Sequence, residues 1–303
     1  MEGSTLALQL KDTVRGQVFA NEPMWRHTSF RIGGPADVLV VPEDISDLMT
    51  LIKSLSDLQT SFHIMGAGTN LLVKDQGIRG VVVKIASTLS HINRLGDGIL
   101  RCGAGALLPS VCRNAAAMGL AGLEFAGGIP GTVGGAVAMN AAAFGGVMAD
   151  LVDTAEVITY DGRQIRLDRE NLDPGTKTTR ILAEPLILTE VDFALRRDQP
   201  ERVQERMQKY LKERTYRQPL SLPSAGCAFK NPTGKGAGRF IDAAGLKGFK
   251  VGSAEVSRLH ANFIVNNGGA TCEDVISLMK HVQEVVYSKF QVMLEPEVRI
   301  LGG

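Results

Sequence analysis

A chain of 303 residues exceeds what one ordinary compact core needs and fits two or three domains. Hydrophobic residues make up 44% and charged residues 21%, which excludes a disordered chain. Lys plus Arg number 33 against 32 acidic residues, so no global basic field exists to attract nucleic acid or an anionic membrane.

Along the chain, Met1 to Leu10 lacks a basic head followed by a long apolar run, so no signal peptide is expected. Asp37 to Pro42, Ser61 to Met65 and Gly80 to Ile85 read as short apolar strands. Between the first two, Ile45, Leu48, Ile52 and Leu55 line one face of an amphipathic helix, with Glu43 and Asp44 at its start. These elements form a β-α-β-β module over about residues 20 to 87. A second module opens with a strand at Gly98 to Cys102 and a helix at Pro109 to Met118, with proline in its first turn. Phe125 to Ala149 is 25 residues without a charge, long enough to span a bilayer. Seven of them are glycine, with Pro130 and Asn140 among the rest, so the stretch reads as buried, closely packed loop structure. Thr154 to Leu167 reads as a hairpin turning at Asp161-Gly162, and Pro185 to Leu195 as a long strand.

Pro200 to Arg217 reads as a strongly charged, solvated helix that opens a third module. That module holds a turn at 223–232, a helix near Arg239 to Ala244, a strand at Asn262 to Val265, a helix at Cys272 to Phe290 and a last strand to Ile300. The expected domains are therefore 1–87, 88–199 and 200–303.

Two loops carry chemistry. Gly66-Ala-Gly-Thr-Asn-Leu-Leu-Val73 follows a strand, and Gly127-Gly-Ile-Pro-Gly-Thr-Val-Gly-Gly135 comes some 55 residues later. Glycine-rich turns expose backbone N–H groups that hold phosphate oxygens. Each alone is equally consistent with a structural turn; two in adjacent modules favour a dinucleotide. Position 71 is Leu where G-x-G-x-x-G needs a third glycine, Gly103-x-Gly105 fails likewise at Leu108, and no G-x-x-x-x-G-K-[ST] occurs. A Rossmann domain and a P-loop both lose support.

The third module holds Pro223-Ser-Ala-Gly-Cys-Ala-Phe-Lys-Asn-Pro232. A thiol, with an ordinary pKa of about 8.5, is a usable proton source. Lys230 and Asn231 supply a cation and an amide close to it, although a tight turn with Cys227 as a small buried residue is the plainer reading. Cys102, Cys112, Cys227 and Cys272 include no C-x-x-C pair and no histidine cluster accompanies them. No metal site or disulfide framework is expected, and free thiols fit a reducing, cytoplasmic setting.

Thr28-Ser-Phe-Arg-Ile-Gly-Gly-Pro-Ala-Asp37, the two glycine loops, Asn140 with Phe144-Gly145, the turn at 224–232, His260-Ala-Asn-Phe-Ile-Val-Asn266 and Leu294-Glu-Pro-Glu-Val-Arg299 occur in this order. Together, from about residue 25 to the C-terminus, they resemble UDP-N-acetylenolpyruvoylglucosamine reductases of the shorter, type II kind. The resemblance implies an α+β chain. Two subdomains would make an FAD-binding fold of the vanillyl-alcohol oxidase type, and a C-terminal α+β domain would close over a UDP-sugar. It implies FAD as cofactor, NADPH as co-substrate, and reduction of an enolpyruvyl ether to a lactyl ether, giving UDP-N-acetylmuramate for peptidoglycan. A monomer or weak homodimer with no nucleic-acid or membrane partner is expected.

Residue by residue, the resemblance makes Cys227 the proton donor and Glu297 the acidic partner at the substrate carboxylate. Lys177 stands where the family usually has Arg, and Thr176 where it usually has Tyr; Arg180 is an alternative cation. Lysine keeps the charge but loses the planar two-pronged grip on a carboxylate. Arg31, Gly66, Gly68, Thr69, Asn70 and Leu71 are expected at the cofactor, as are Gly128, Ile129, Gly131, Thr132, Gly134 and Asn140. Lys230, Asn231, Arg239, His260 and Asn262 are expected at the UDP-sugar. From the residues alone, Glu297 reads as an exposed strand position sharing a face with Glu295 and Arg299, His260 as a core histidine, and Arg31 as a surface arginine. The departure at 176–177 keeps open a non-catalytic or weakened UDP-sugar-binding relative. A different FAD oxidoreductase on the same fold is the other alternative.

Overall fold

A computed structural model describes residues 3–85, 87–232 and 236–303 of the chain. They divide into two compact units. One holds residues 1–20, 38–67 and 80–214; the other holds 21–37, 68–79 and 215–303. Both mix helix and strand, as the α+β expectation requires.

Two sheets build the first unit. In the four-stranded sheet the order is Gln17–Pro23, Pro35–Val41, Ile78–Lys84, Phe62–Met65, and the last two run parallel. The helix Ile45–Asp57 connects Pro35–Val41 to Phe62–Met65 in the chain. Asp44 caps it by accepting from the Asp47 N–H, and Leu48, Leu51, Ile52 and Leu55 are buried beneath it. The second sheet is antiparallel, in the order Gln164–Asp168, Val152–Thr159, Leu186–Ala194, Ile99–Gly103, Ile92–Arg94. The hairpin turns around Asp161-Gly162 as expected, with Ile158 opposite Gln164.

Three elements differ from the sequence reading. A helix, Gly3–Thr13, precedes the first strand and buries Leu6, Ala7 and Leu10. Within the glycine-rich stretch, Val133–Ala138 is a short helix capped by Thr132, whose side chain accepts from Gly135 N–H. It forms because Ala and Val there have tertiary partners; glycine content alone argues against it. The charged helix Pro200–Arg217 does not simply open the third module, since its residues up to Arg214 belong to the first unit. Val203 and Met207 join that core, and Arg206 reaches Glu124 and Asp198 at 2.7 Å each.

The second unit carries an antiparallel sheet ordered Ser224–Cys227, Phe263–Asn266, Ala254–Val256, Lys250–Val251. Helices Ala237–Ala243 and Cys272–Phe290 pack with it around Ile241, Val275, Leu278 and Val282. Two N-terminal pieces, 21–37 and 68–79, belong here and not with the β-α-β-β module. Phe30, Ile32 and Leu72 enter this core, and Leu71–Val73 pairs in parallel with Arg299–Leu301. Asp75 accepts from the Cys272 and Glu273 N–H groups and so caps the long helix from this distant stretch.

Asp47 fixes the start of the first unit. Its carboxylate, 3% exposed, accepts from the backbone N–H groups of Arg15 (2.9 Å), Gly16 (3.0 Å) and Glu43 (2.8 Å). Asp47→Ala leaves these donors without an acceptor and is expected to destabilise this unit by about 2–3 kcal/mol. Denaturant unfolding measures this; an unchanged midpoint would contradict the assigned role.

Candidate functional site

In the first unit the two glycine loops meet. Gly66 lies so close to Thr132 that a Cβ at 66 would collide with Thr132 Oγ1. Only bare backbone fits this approach, and bare backbone is what a phosphate needs. Thr132, 4% exposed, is held by accepting from Gly135 N–H at 3.3 Å. The Gly103-Gly105 turn joins them: Val133 N–H donates to Ala106 O (2.9 Å), Gly134 N–H to Ala104 O (2.8 Å), and Leu108 N–H to Gly131 O (3.0 Å).

These bonds narrow the expected amide nest. Gly134 serves the contact with Ala104, where a Cβ would sit 3.1 Å from that alanine's own Cβ. Gly128 lies under the helix Pro200–Arg217, a Cβ there falling 2.7 Å from Arg214 Cδ and 3.1 Å from Leu211 Cδ2. Ile129 N–H donates to Ala126 O. In sequence, such packing glycines and phosphate-facing ones look alike. Gly66, Gly131 and Thr132 remain the residues whose geometry fits a dinucleotide best.

Gly68–Val73 lies in the second unit. Gly68 is left-handed (φ +67), the conformation glycine adopts without cost, and its carbonyl accepts from Ser29 N–H at 3.3 Å. Arg31 is exposed and left-handed (φ +55) in the tight loop at 28–32.

The same unit brings Cys227 and Glu297 onto neighbouring segments. Cys227 ends the strand Ser224–Cys227, which faces Val265 at Ser224 and Phe263 at Cys227, so one extra residue is accommodated between them. Gly226 supplies the left-handed kink (φ +78) with open space beside it. Such a bulge re-aims the side chain that follows. Burial pushes the thiols of Cys102, Cys112 and Cys272 up to about 12, whereas Cys227 is partly exposed.

Beyond the thiol, Ala228 O accepts from Glu297 N–H (2.8 Å), Phe229 bridges Pro296, and Lys230 N–H donates to Glu295 O (2.8 Å). Asn70 Nδ2 donates to Glu297 O at 3.0 Å, while Asn70 O accepts from Arg299 N–H. Glu297 is therefore not the exposed strand residue of the plainer reading. The strand begins only at Arg299, and the Glu297 backbone is fastened on two sides.

Two expected substrate contacts have structural duties. Asn262, 2% exposed, accepts from Phe229 N–H (3.1 Å) and donates to Phe229 O (2.8 Å), so its amide holds the thiol loop from behind. Asn231 Oδ1 accepts from Ala237 N–H and caps the helix Ala237–Ala243. Lys230 pairs with Glu295 at 3.4 Å, and Arg239 is exposed. Lys177 and Arg180 belong to the first unit. Arg180 forms an ion pair with Glu184 at 2.8 Å, which occupies the alternative cation. Lys177 is half-buried in a left-handed conformation (φ +61). Among the described residues no group of metal-ligating side chains occurs, and no helix is long and apolar enough to cross a membrane.

Burial holds the His260 imidazole below its ordinary value of 6.5, and its Nδ1 accepts from Asn262 N–H. The unfolded chain therefore takes up that proton first as pH falls. The stabilisation is complete above the unfolded value and is lost as pH drops through the lower folded one. Thermal unfolding is expected to shift downward from about pH 7 to about pH 5, and His260→Gln is expected to flatten that slope. Parallel curves for the two proteins would refute the assignment.

Comparison with known proteins identifies the family. Residues 36–168 match the family model described as "FAD binding domain". Residues 218–301 match the C-terminal domain of UDP-N-acetylenolpyruvoylglucosamine reductase. The chain is 44% identical over 285 residues to the UDP-N-acetylenolpyruvoylglucosamine reductase of Alkaliphilus oremlandii, covering 94% of this chain and 93% of that one. It is 45% identical over 304 residues to that of Desulfosudis oleivorans, covering 97% of each. The crystal structure of the Thermus caldophilus enzyme of the same name superposes with a TM-score of 0.82 at 36% identity, over 95% of this chain and 99% of that one. The chain belongs to the UDP-N-acetylenolpyruvoylglucosamine reductase family.

Proposed function

We propose that the chain reduces the enolpyruvyl ether of UDP-N-acetylglucosamine-enolpyruvate to UDP-N-acetylmuramate, a peptidoglycan precursor, with FAD as cofactor and NADPH as reductant. The observation that carries this reading is the pairing of 228–230 with 295–297, directly after the partly exposed Cys227 and at the backbone of Glu297. Membership of the family supports the substrate class.

Bound FAD would supply the hydride that adds to the terminal alkene carbon, having taken it from NADPH. Every other step asks for a protein group. As hydride adds, negative charge develops on the neighbouring carbon and spreads into the carboxylate. Lys177 offsets that charge; a well-placed donor or cation contributes about 2.7–4 kcal/mol to such a step. Cys227 Sγ–H then gives its proton to the neighbouring carbon, completing saturation of the double bond. Glu297 is the acidic group beside the carboxylate. Gly66, Gly131 and Thr132 hold the dinucleotide phosphates through backbone and hydroxyl groups. Lys230, Arg239 and His260 bind the UDP-sugar.

Anaerobic stopped-flow separates reduction by NADPH from reoxidation by the enolpyruvyl substrate. Cys227→Ala is expected to leave the first half-reaction intact and slow the second by about 10²–10⁴-fold, while Cys227→Ser retains much of the rate. Equal loss in both halves would remove Cys227 as the proton donor.

Gly66→Ala forces the two loops apart at Thr132. The purified variant is expected to carry markedly less flavin per chain, read from its visible absorbance. Full retention of flavin would sink the loop assignment.

A further inference from the structure

The loop that holds the dinucleotide and the turn that displays Lys177 are tied together by two side chains, both in the first unit. Thr132 opens the short helix Val133–Ala138. At its far end, Thr179 Oγ1 donates to the carbonyl of Ala138, the last helical residue, at 3.1 Å, and Thr179 is 1% exposed. Two residues past the helix, Asn140 turns left-handed (φ +43) and is 8% exposed. Its Nδ2 donates to Gly175 O at 3.0 Å, and its Oδ1 accepts from Ala149 N–H at 3.1 Å.

Gly175 begins a tight turn closed by its own N–H donating to Thr178 O at 3.0 Å. Lys177 lies inside that turn in the left-handed region (φ +61). A non-glycine residue persists there only where its surroundings fix the backbone. Asn140 and Thr179 bracket the turn, one holding its first carbonyl and the other anchoring the residue just after it.

We propose that Asn140 and Thr179 are positioning residues that set Lys177 for the substrate half-reaction by fastening its turn to the helix of the glycine loop. Asn140, expected from the resemblance to touch the cofactor, acts instead through this turn, both ends of its amide being engaged with backbone. The inference rests on the role assigned to Lys177 above.

The test uses the flavin-loaded enzyme and the two anaerobic half-reactions. Asn140→Asp keeps the side-chain shape and the acceptor but removes the donor to Gly175; Thr179→Val is isosteric and loses its hydroxyl. For both, flavin content and reduction by NADPH stay within about twofold of the parent, while reoxidation by substrate slows about tenfold. Thr179→Ser restores the rate. Placed in a Lys177→Met background, either variant slows reoxidation by less than about twofold further, because the group being positioned is gone. A full tenfold effect persisting in that background, equal loss in both half-reactions, or no slowing at all overturns the proposal. If Lys177→Met alone leaves reoxidation unchanged, the assignment of Lys177 has failed by itself and this inference falls with it. If Asn140→Asp does not fold, Thr179→Val carries the same test alone.

Discussion

A buried asparagine amide underlies the chemistry of the second unit. Asn262 satisfies both the N–H and the carbonyl of Phe229. An unmatched pair of backbone groups at that depth would cost about 1–3 kcal/mol each. With Phe229 fixed, its neighbours fall into place: Ala228 accepts from Glu297, Lys230 donates to Glu295, and Cys227 emerges from the bulge just before them. The thiol and the carboxyl need no contact with each other to be held in register, because the backbone between them is already hydrogen-bonded. Preorganisation of this kind lets a proton donor act without first being ordered.

The first unit solves a different problem with the same economy of groups. Its glycines do two jobs. Gly66 allows one loop to reach Thr132, while Gly127 and Gly128 let the helix Pro200–Arg217 lie on the loop that follows Phe125. A helix that is half charged thus joins the core of the first unit, through Val203, Met207 and the Arg206–Glu124 pair. Asn140 and Thr179 fasten the turn that holds Lys177 to the same framework, through bonds between residues 35 or more apart in sequence.

Exposure separates the four thiols. Cys102, Cys112 and Cys272 are buried, and their ionisation is pushed out of reach at neutral pH. Cys227 differs by sitting after a left-handed glycine, where the strand is kinked, and by being partly exposed. The proposed proton donor is therefore marked by a backbone irregularity as much as by its residue type.

Apolar periodicity made the long elements legible from sequence: the helices Ile45–Asp57 and Cys272–Phe290, the hairpin at Asp161-Gly162 and the strand ending near Ala194. The ordered glycine, thiol and carboxyl motifs likewise pointed to one family. Those features are local, since period and residue type survive in one dimension. The grouping of 21–37 and 68–79 with the C-terminal unit was not legible, because burial of Phe30, Ile32 and Leu72 depends on partners about 150 to 260 residues away in the chain. Nor was the division of labour among polar residues. Whether Asn262, Asn231 or Asn140 meets a ligand or the chain's own backbone depends on which carbonyls and N–H groups the fold leaves beside it, and only the tertiary structure decided that.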